Sequence, residues 1–95
     1  MNDWPTKSEM TVMRMLQDAP KGLYGLQIVE RSDGDIKRGS VYVLLGRLEE
    51  KGFVDVARAA EANHPGLPRP HYRLNAHGAR VLATAESIGM LPVGA

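Results

Sequence analysis

The chain has 95 residues, of which 43% are apolar and none is cysteine, and its formal net charge is +1. That length suits one folded core rather than two, and without cysteine there are no disulfides, thiolate metal sites or cysteine nucleophiles. The near-neutral balance hides an asymmetry: residues 36–73 carry seven Lys/Arg against four Asp/Glu, whereas residues 1–35 carry four against six.

No apolar stretch approaches the length of a membrane span. The opening Met1-Asn2-Asp3-Trp4-Pro5 lacks the basic and apolar regions of a secretion signal. The expectation is a single domain over 1–95, cytoplasmic, with no membrane partner.

A first helix is predicted from Thr6, where Glu9 three residues on completes a capping box, with Ser8 as a rival cap. Met10, Val12, Met13 and Leu16 form its apolar stripe, and Pro20 and Gly22 stop it. A second, short helix is predicted over 24–31, with Leu26 and Val29 inward and Ile28 on the flank. It ends at the turn formers Ser32-Asp33-Gly34-Asp35.

The third helix has the clearest period. It is predicted to begin after Lys37-Arg38-Gly39, with Ser40 or Gly39 as cap and Val41, Leu44, Leu45 and Leu48 inward. It ends at Lys51-Gly52, where glycine suits a left-handed C-cap.

The period then changes. Val54 and Val56 alternate with Asp55 and Ala57, and Tyr72 and Leu74 with His71 and Arg73, as in half-buried strands. Between them, residues 61–70 contain three prolines, which forbid a regular ladder and suit a broad hairpin loop. A last helix is predicted from a cap at Asn75, with Val81, Leu82, Ala85 and Ile88 on one side.

Three helices, a two-stranded hairpin and a closing helix make an α+β, mainly α fold: a winged helix-turn-helix. The expected division is a core over about 6–75, a dimerisation helix over 75–88 and a tail over 89–95.

With these elements in place, the chain resembles the PadR family of winged-helix regulators from about Ser8 to Arg80. The matching stretches are Tyr24-Gly25, Gly39-Ser40-Val41-Tyr42, Leu45-Gly46-Arg47-Leu48-Glu49-Glu50-Lys51-Gly52-Phe53-Val54, and Tyr72-Arg73-Leu74 followed by Gly78. Two positions depart from the family: Val43 stands where proline is usual, and Arg69-Pro70-His71 is a sparser wing than the common basic run. The resemblance implies a short-subtype, DNA-binding transcriptional regulator, a repressor acting as a homodimer. It also permits a small apolar effector between subunits.

The physical case for duplex DNA rests on the third helix, because an α-helix fits the major groove. If its leucines face inward, Ser40, Tyr42, Val43, Gly46 and Arg47 face out. Lys37 and Arg38 precede the helix, placed to neutralise phosphates. Tyr42 is placed for DNA or for the core edge; Arg47 for guanine or for pairing with Glu50 or Glu30; Gly46 for close approach of DNA or for helix packing.

Tyr24 and Gln27 open the second helix within reach of backbone. Arg58, Arg69 and His71, with His64 nearby, belong to the wing. One helix-turn-helix offers few contacts, so a palindromic operator read by a homodimer is expected, with Met10, Met13, Val81, Leu82, Ala85 and Ile88 as interface. Trp4 and Met90-Leu91 either join that surface or are loose ends.

Catalysis is not expected, since the hydroxyls and three histidines show no spacing of a nucleophile with its base. No metal site or cofactor is expected either, since His64, His71 and His77 lack ligand spacing. The competing reading is a winged helix that binds protein instead of DNA, as an anti-repressor or assembly subunit, since the fold hosts both activities.

Overall fold

The computed structural model describes residues 4–57 and 70–87. Its elements run α1 (Lys7–Gln17), α2 (Gly25–Arg31), α3 (Arg38–Glu50), β1 (Val54–Ala57), β2 (His71–Leu74) and α4 (Ala76–Ser87).

Helix α1 starts as its sequence predicts. The Thr6 hydroxyl accepts the Glu9 N–H at 3.2 Å and Glu9 Oε1 accepts the Thr6 N–H at 3.0 Å, which satisfies two backbone donors that the helix leaves open. Met10, Val12, Met13 and Leu16 are buried, and so is Glu9. Its carboxylate takes the Lys51 ammonium at 2.6 Å, and Lys51 also donates to the Trp4 carbonyl at 3.2 Å. The end of α3 is thereby tied to the start of α1, and Trp4 packs half-buried against the core.

Helix α2 differs in part from the expected inward face, since Val29 packs against the core as expected but Ile28 is the more buried. Ile28 is fully buried, while Leu26 and Val29 are half-buried. The helix has only seven residues, of which Gly25 and Ile28 are buried, and Val29 packs partly buried against the core.

The turn to α3 is built on Ser32. Its hydroxyl accepts the Ile36 N–H at 2.9 Å and donates to the Val29 carbonyl at 2.8 Å, so a buried polar group is satisfied locally while Ile36 plugs the core. Asp33 and Gly34 take positive φ in the same turn, which short polar residues and glycine tolerate best.

Helix α3 begins earlier than predicted. Lys37 is the N-cap and makes no side-chain capping bond, so neither Ser40 nor Gly39 caps it. The inward set is as expected, with Val41, Leu44, Leu45 and Leu48 buried. Each such side chain contributes about 1.5–3 kcal/mol by leaving water. Gly52 follows the C-cap Lys51 with φ 79°, in the left-handed region where glycine carries no steric cost.

The two strands pair antiparallel in the register Val54 with Leu74 through Ala57 with His71. An isolated bridge beside this pair has no signal in the sequence: Leu23 and Tyr72 exchange backbone hydrogen bonds of 3.0 and 2.8 Å, which joins the segment before α2 to the sheet.

Helix α4 starts where predicted. Asn75 Oδ1 accepts the Gly78 N–H at 2.8 Å, and its Nδ2 donates to the Gly52 carbonyl at 2.9 Å. Gly78 lies against the Phe53 carbonyl, and a Cβ there would stand 2.8 Å from Leu74 Cδ1, so a side chain would push α4 off the sheet. Leu82 and Ala85 are fully buried, and an exposed ion pair of 2.8 Å between Arg14 and Glu86 ties α4 to α1.

This packing corrects the interface expected from sequence. Met10, Met13, Leu82 and Ala85 are between 0% and 1% exposed within one chain, so they form core and present no surface to a second copy. Val81 is half-buried and keeps some surface; Ile88, Met90 and Leu91 lie outside the described residues. The apolar faces of α1 and α4 are complementary, and each covers the other before any partner is needed.

Candidate nucleic-acid interface

The surface of interest is the side of α3 that faces away from its leucines. At about 100° per residue, Gly39, Val43, Gly46 and Glu50 fall within a narrow arc opposite Val41, Leu44, Leu45 and Leu48. Tyr42 flanks this crest on one side, and Ser40 and Arg47 flank it on the other. Among the described residues, the exposed large apolar side chains are Tyr42 at 52% and Val43 at 54%, adjacent on this one helix.

Tyr42 is thus outside the core, which removes one of the two roles its sequence position allows. It is held in place all the same. A Cβ at Gly25 would lie 2.7 Å from the Tyr42 Cε1, Cζ and Oη atoms, so the ring rests directly over the first residue of α2. The tyrosine bridges the two helices of the motif, and glycine at 25 is what leaves it room.

Gly46 resolves in the same way. A Cβ there would meet no heavy atom of the described residues within 4 Å, so their helix packing does not require glycine at this position. Arg47 is exposed, and among the described residues it forms no ion pair with Glu50 or Glu30. Lys37, Arg38 and Ser40 are exposed at the opening of α3, with Ser40 as its third residue rather than its cap. Beside them runs a cleft of about 400 Å³, in which Ser8 of α1 faces Lys37, Ser40, Val43 and Arg47, with Asp35 as its acidic member.

The other residues expected at the site gather less closely. Gln27 is half-buried, and its Oε1 accepts the Tyr24 N–H at 3.0 Å, so that oxygen serves the start of α2. Glutamine three residues after a cap carries that meaning in sequence as well. Tyr24 and His71 are half-buried and meet edge to face with ring centroids 4.6 Å apart, which places them together at the base of the wing. Arg58, Arg69 and His64 lie outside the described residues.

Gly25 and Ser8 join the site although sequence marks Gly25 only within the Tyr24-Gly25 stretch of the family resemblance. Gly25 matters through a long-range contact that no local pattern encodes. Ser8 signals only a helix start. Among the described residues, no group of three or more His, Asp or Glu is placed to hold a metal ion, and no helix is long and apolar enough to cross a membrane.

The arrangement is a convex helix with an apolar, glycine-rich crest, cations at its leading end and an aromatic anchor on one flank. Comparison with known proteins gives it context. The family model described as the transcriptional regulator PadR-like family matches residues 12–84. A search of curated proteins found no match.

Among solved structures, a PadR family transcription regulator from hypervirulent Clostridium difficile R20291 superposes with a TM-score of 0.72 at 21% identity, covering 85% of this chain and 84% of that one. A PadR family transcriptional regulator from Eggerthella lenta DSM 2243 gives 0.68 at 27% identity, covering 87% and 74%. The PcaV transcriptional regulator from Streptomyces coelicolor, in complex with its natural ligand, gives 0.67 at 22% identity, covering 94% of this chain and 64% of that one.

Proposed function

The chain belongs to the PadR-like family of transcriptional regulators, and from that premise we propose that it acts as a homodimeric repressor that reads a palindromic operator in duplex DNA. In this reading α3 enters the major groove, and Lys37, Arg38 and Ser40 meet the phosphates at its leading end. Tyr42, Val43 and Arg47 face the bases or the flanking backbone. Tyr24, Gln27 and His71 lie toward the neighbouring backbone, with Arg58 and Arg69 assigned to the wing.

The single observation that carries the reading is the exposure of Tyr42 and Val43 side by side on the helix that the cations precede. A monomer that displayed this pair without a partner would lose the gain of burying them, whereas a helix in the major groove covers them. The protein-adaptor reading is set aside because Lys37 and Arg38 stand at the same end of the same helix, where a duplex uses them and a neutral protein surface does not.

The homodimer follows from the small footprint of one recognition helix: two copies on half-sites roughly 34–36 Å apart supply the specificity that a single helix lacks. With Met10, Met13, Leu82 and Ala85 spent on the core, the interface is assigned to the outer side of α4 around Val81. The protein works in the cytoplasm, where its DNA lies, and performs no catalysis of its own. A small apolar effector held between subunits belongs to the same proposal, on the strength of the family resemblance; the PcaV structure is itself a complex with that protein's natural ligand.

The test is selection of bound fragments from random duplex DNA, followed by titration of the selected site at several salt concentrations. The expected result is a palindrome whose affinity falls steeply with salt, as counterion release requires. Weak, salt-independent association with every duplex would overturn the regulator reading and favour the protein adaptor.

A further inference from the structure

The crest of α3 is unusual in what it lacks. Along the line farthest from the core stand Gly39, Val43, Gly46 and Glu50, with no arginine, lysine, asparagine or glutamine among them. The side chains that pair bidentately with guanine or adenine are therefore absent from the part of the helix that goes deepest into a groove. The one donor-bearing cation on the outer surface beyond the first turn, Arg47, stands on the flank beside Ser40.

From this the geometry points to a hydrophobic readout: Val43 recognises the 5-methyl group of a thymine in each half-site. The inference rests on the DNA-binding reading above and specifies its central contact. Thymine is the base whose major-groove edge carries an apolar group, and apolar side chains read it by contact. Val43 is 54% exposed and β-branched, so its two methyls are held stiffly at the crest.

The glycines on either side support the same geometry. Glycine inside a helix costs about 1 kcal/mol relative to alanine, and at Gly46 no atom of the described residues comes within 4 Å of where a Cβ would stand. Gly39 is equally open. Among the described residues, no packing contact compensates the loss of helix stability at Gly46. It is accounted for if another surface comes closer to the backbone there than a side chain would allow. With both neighbours bare, Val43 is the apolar side chain that the crest itself offers to a groove floor. Glu50, at the far end of the helix, is displaced from the N-terminal portion that normally reaches base edges.

The experiment uses the full chain and the duplex obtained by selection, in which each thymine is replaced singly by deoxyuridine. That change keeps the base pair and removes only the methyl. Burial of one methyl-sized group corresponds to a loss of about three- to fivefold in affinity. The expected result is such a loss at one thymine of each half-site for the wild-type chain, and its disappearance in Val43→Ala, which binds both duplexes alike. Val43→Ala removes an exposed side chain, so the fold survives the change.

A selected site without thymine opposite α3, or a methyl penalty that persists unchanged in Val43→Ala, overturns the assignment while leaving the regulator reading intact. Failure to select any duplex overturns both.

Discussion

The Glu9 carboxylate and the Lys51 ammonium meet at 2.6 Å, one at the first turn of α1 and the other just past the end of α3, with the glutamate fully enclosed. Glu9 Oε1 also caps the Thr6 N–H, and its Oε2 is buried without a hydrogen-bond partner among the described residues. The ammonium therefore carries the compensation of this buried charge. The two partners are not equivalent, because Lys51 keeps a little access to water and Glu9 has none.

Removal of the lysine should cost more than removal of the charge on the glutamate. Lys51→Ala leaves an enclosed carboxylate unpaired and is expected to destabilise by about 3–5 kcal/mol. Glu9→Gln keeps an acceptor for the cap and leaves an ammonium that can turn toward solvent, for a loss of about 1 kcal/mol. Urea denaturation of the two variants gives the comparison. Equal losses would show that the pair is held by geometry alone and not by charge compensation.

The contact between Gly25 and Tyr42 predicts a coupled pair. Gly25→Ala places a methyl 2.7 Å from the ring and should destabilise by about 1–3 kcal/mol, as overpacking does. Tyr42→Ala in the same chain should restore most of that loss, since it removes the obstacle. The interaction energy from a double-mutant cycle is the measurement; additive losses would mean that the ring does not constrain residue 25.

Lys37 and Arg38 should act on binding without acting on the fold. Both are exposed, and Lys37 makes no capping bond with its side chain. Replacing either with alanine is expected to weaken affinity for all duplexes alike and to lower the salt slope by about one for each phosphate that is no longer neutralised. Fluorescence anisotropy over a salt series reads both quantities. A sequence-selective loss with an unchanged slope would instead place the residue on a base.

On helix α4 the buried core positions are distinct from the half-buried position proposed for the interface. Leu82→Glu puts a charge into a position with no exposure and should unfold the chain, with loss of helical circular dichroism. Val81→Glu acts at a half-buried site and should leave a folded monomer by light scattering. A folded dimer in Val81→Glu would put the interface elsewhere.

Much of this architecture is readable in the chain itself, and the reasons are local. The capping box at Thr6 and Glu9, the glycine after Lys51, the Asn75 cap and the alternation around Val54 and Tyr72 all act within a few residues, through backbone groups and spacing that sequence states directly. The inward set of α3 is equally plain, because thirteen residues contain enough turns for a period to show. Helix α2 is too short for that: Ile28, expected on the flank, is fully buried, while Val29 packs only partly buried against the core.

What required the folded chain is the set of relationships between distant segments. Sequence alone marks Tyr42 as either core or surface, and Gly46 as either a packing glycine or a bare crest. Which of these holds depends on how α2 crosses α3 and on what lies near a given Cβ. The bridge between Leu23 and Tyr72 and the Glu9 to Lys51 pair have the same character. The apolar faces of α1 and α4 look like surface awaiting a partner until they are packed together, at which point Met10, Met13, Leu82 and Ala85 become core. Local backbone chemistry is written in neighbours; burial is a property of the whole packed chain, and it decides which side chains are left to meet another molecule.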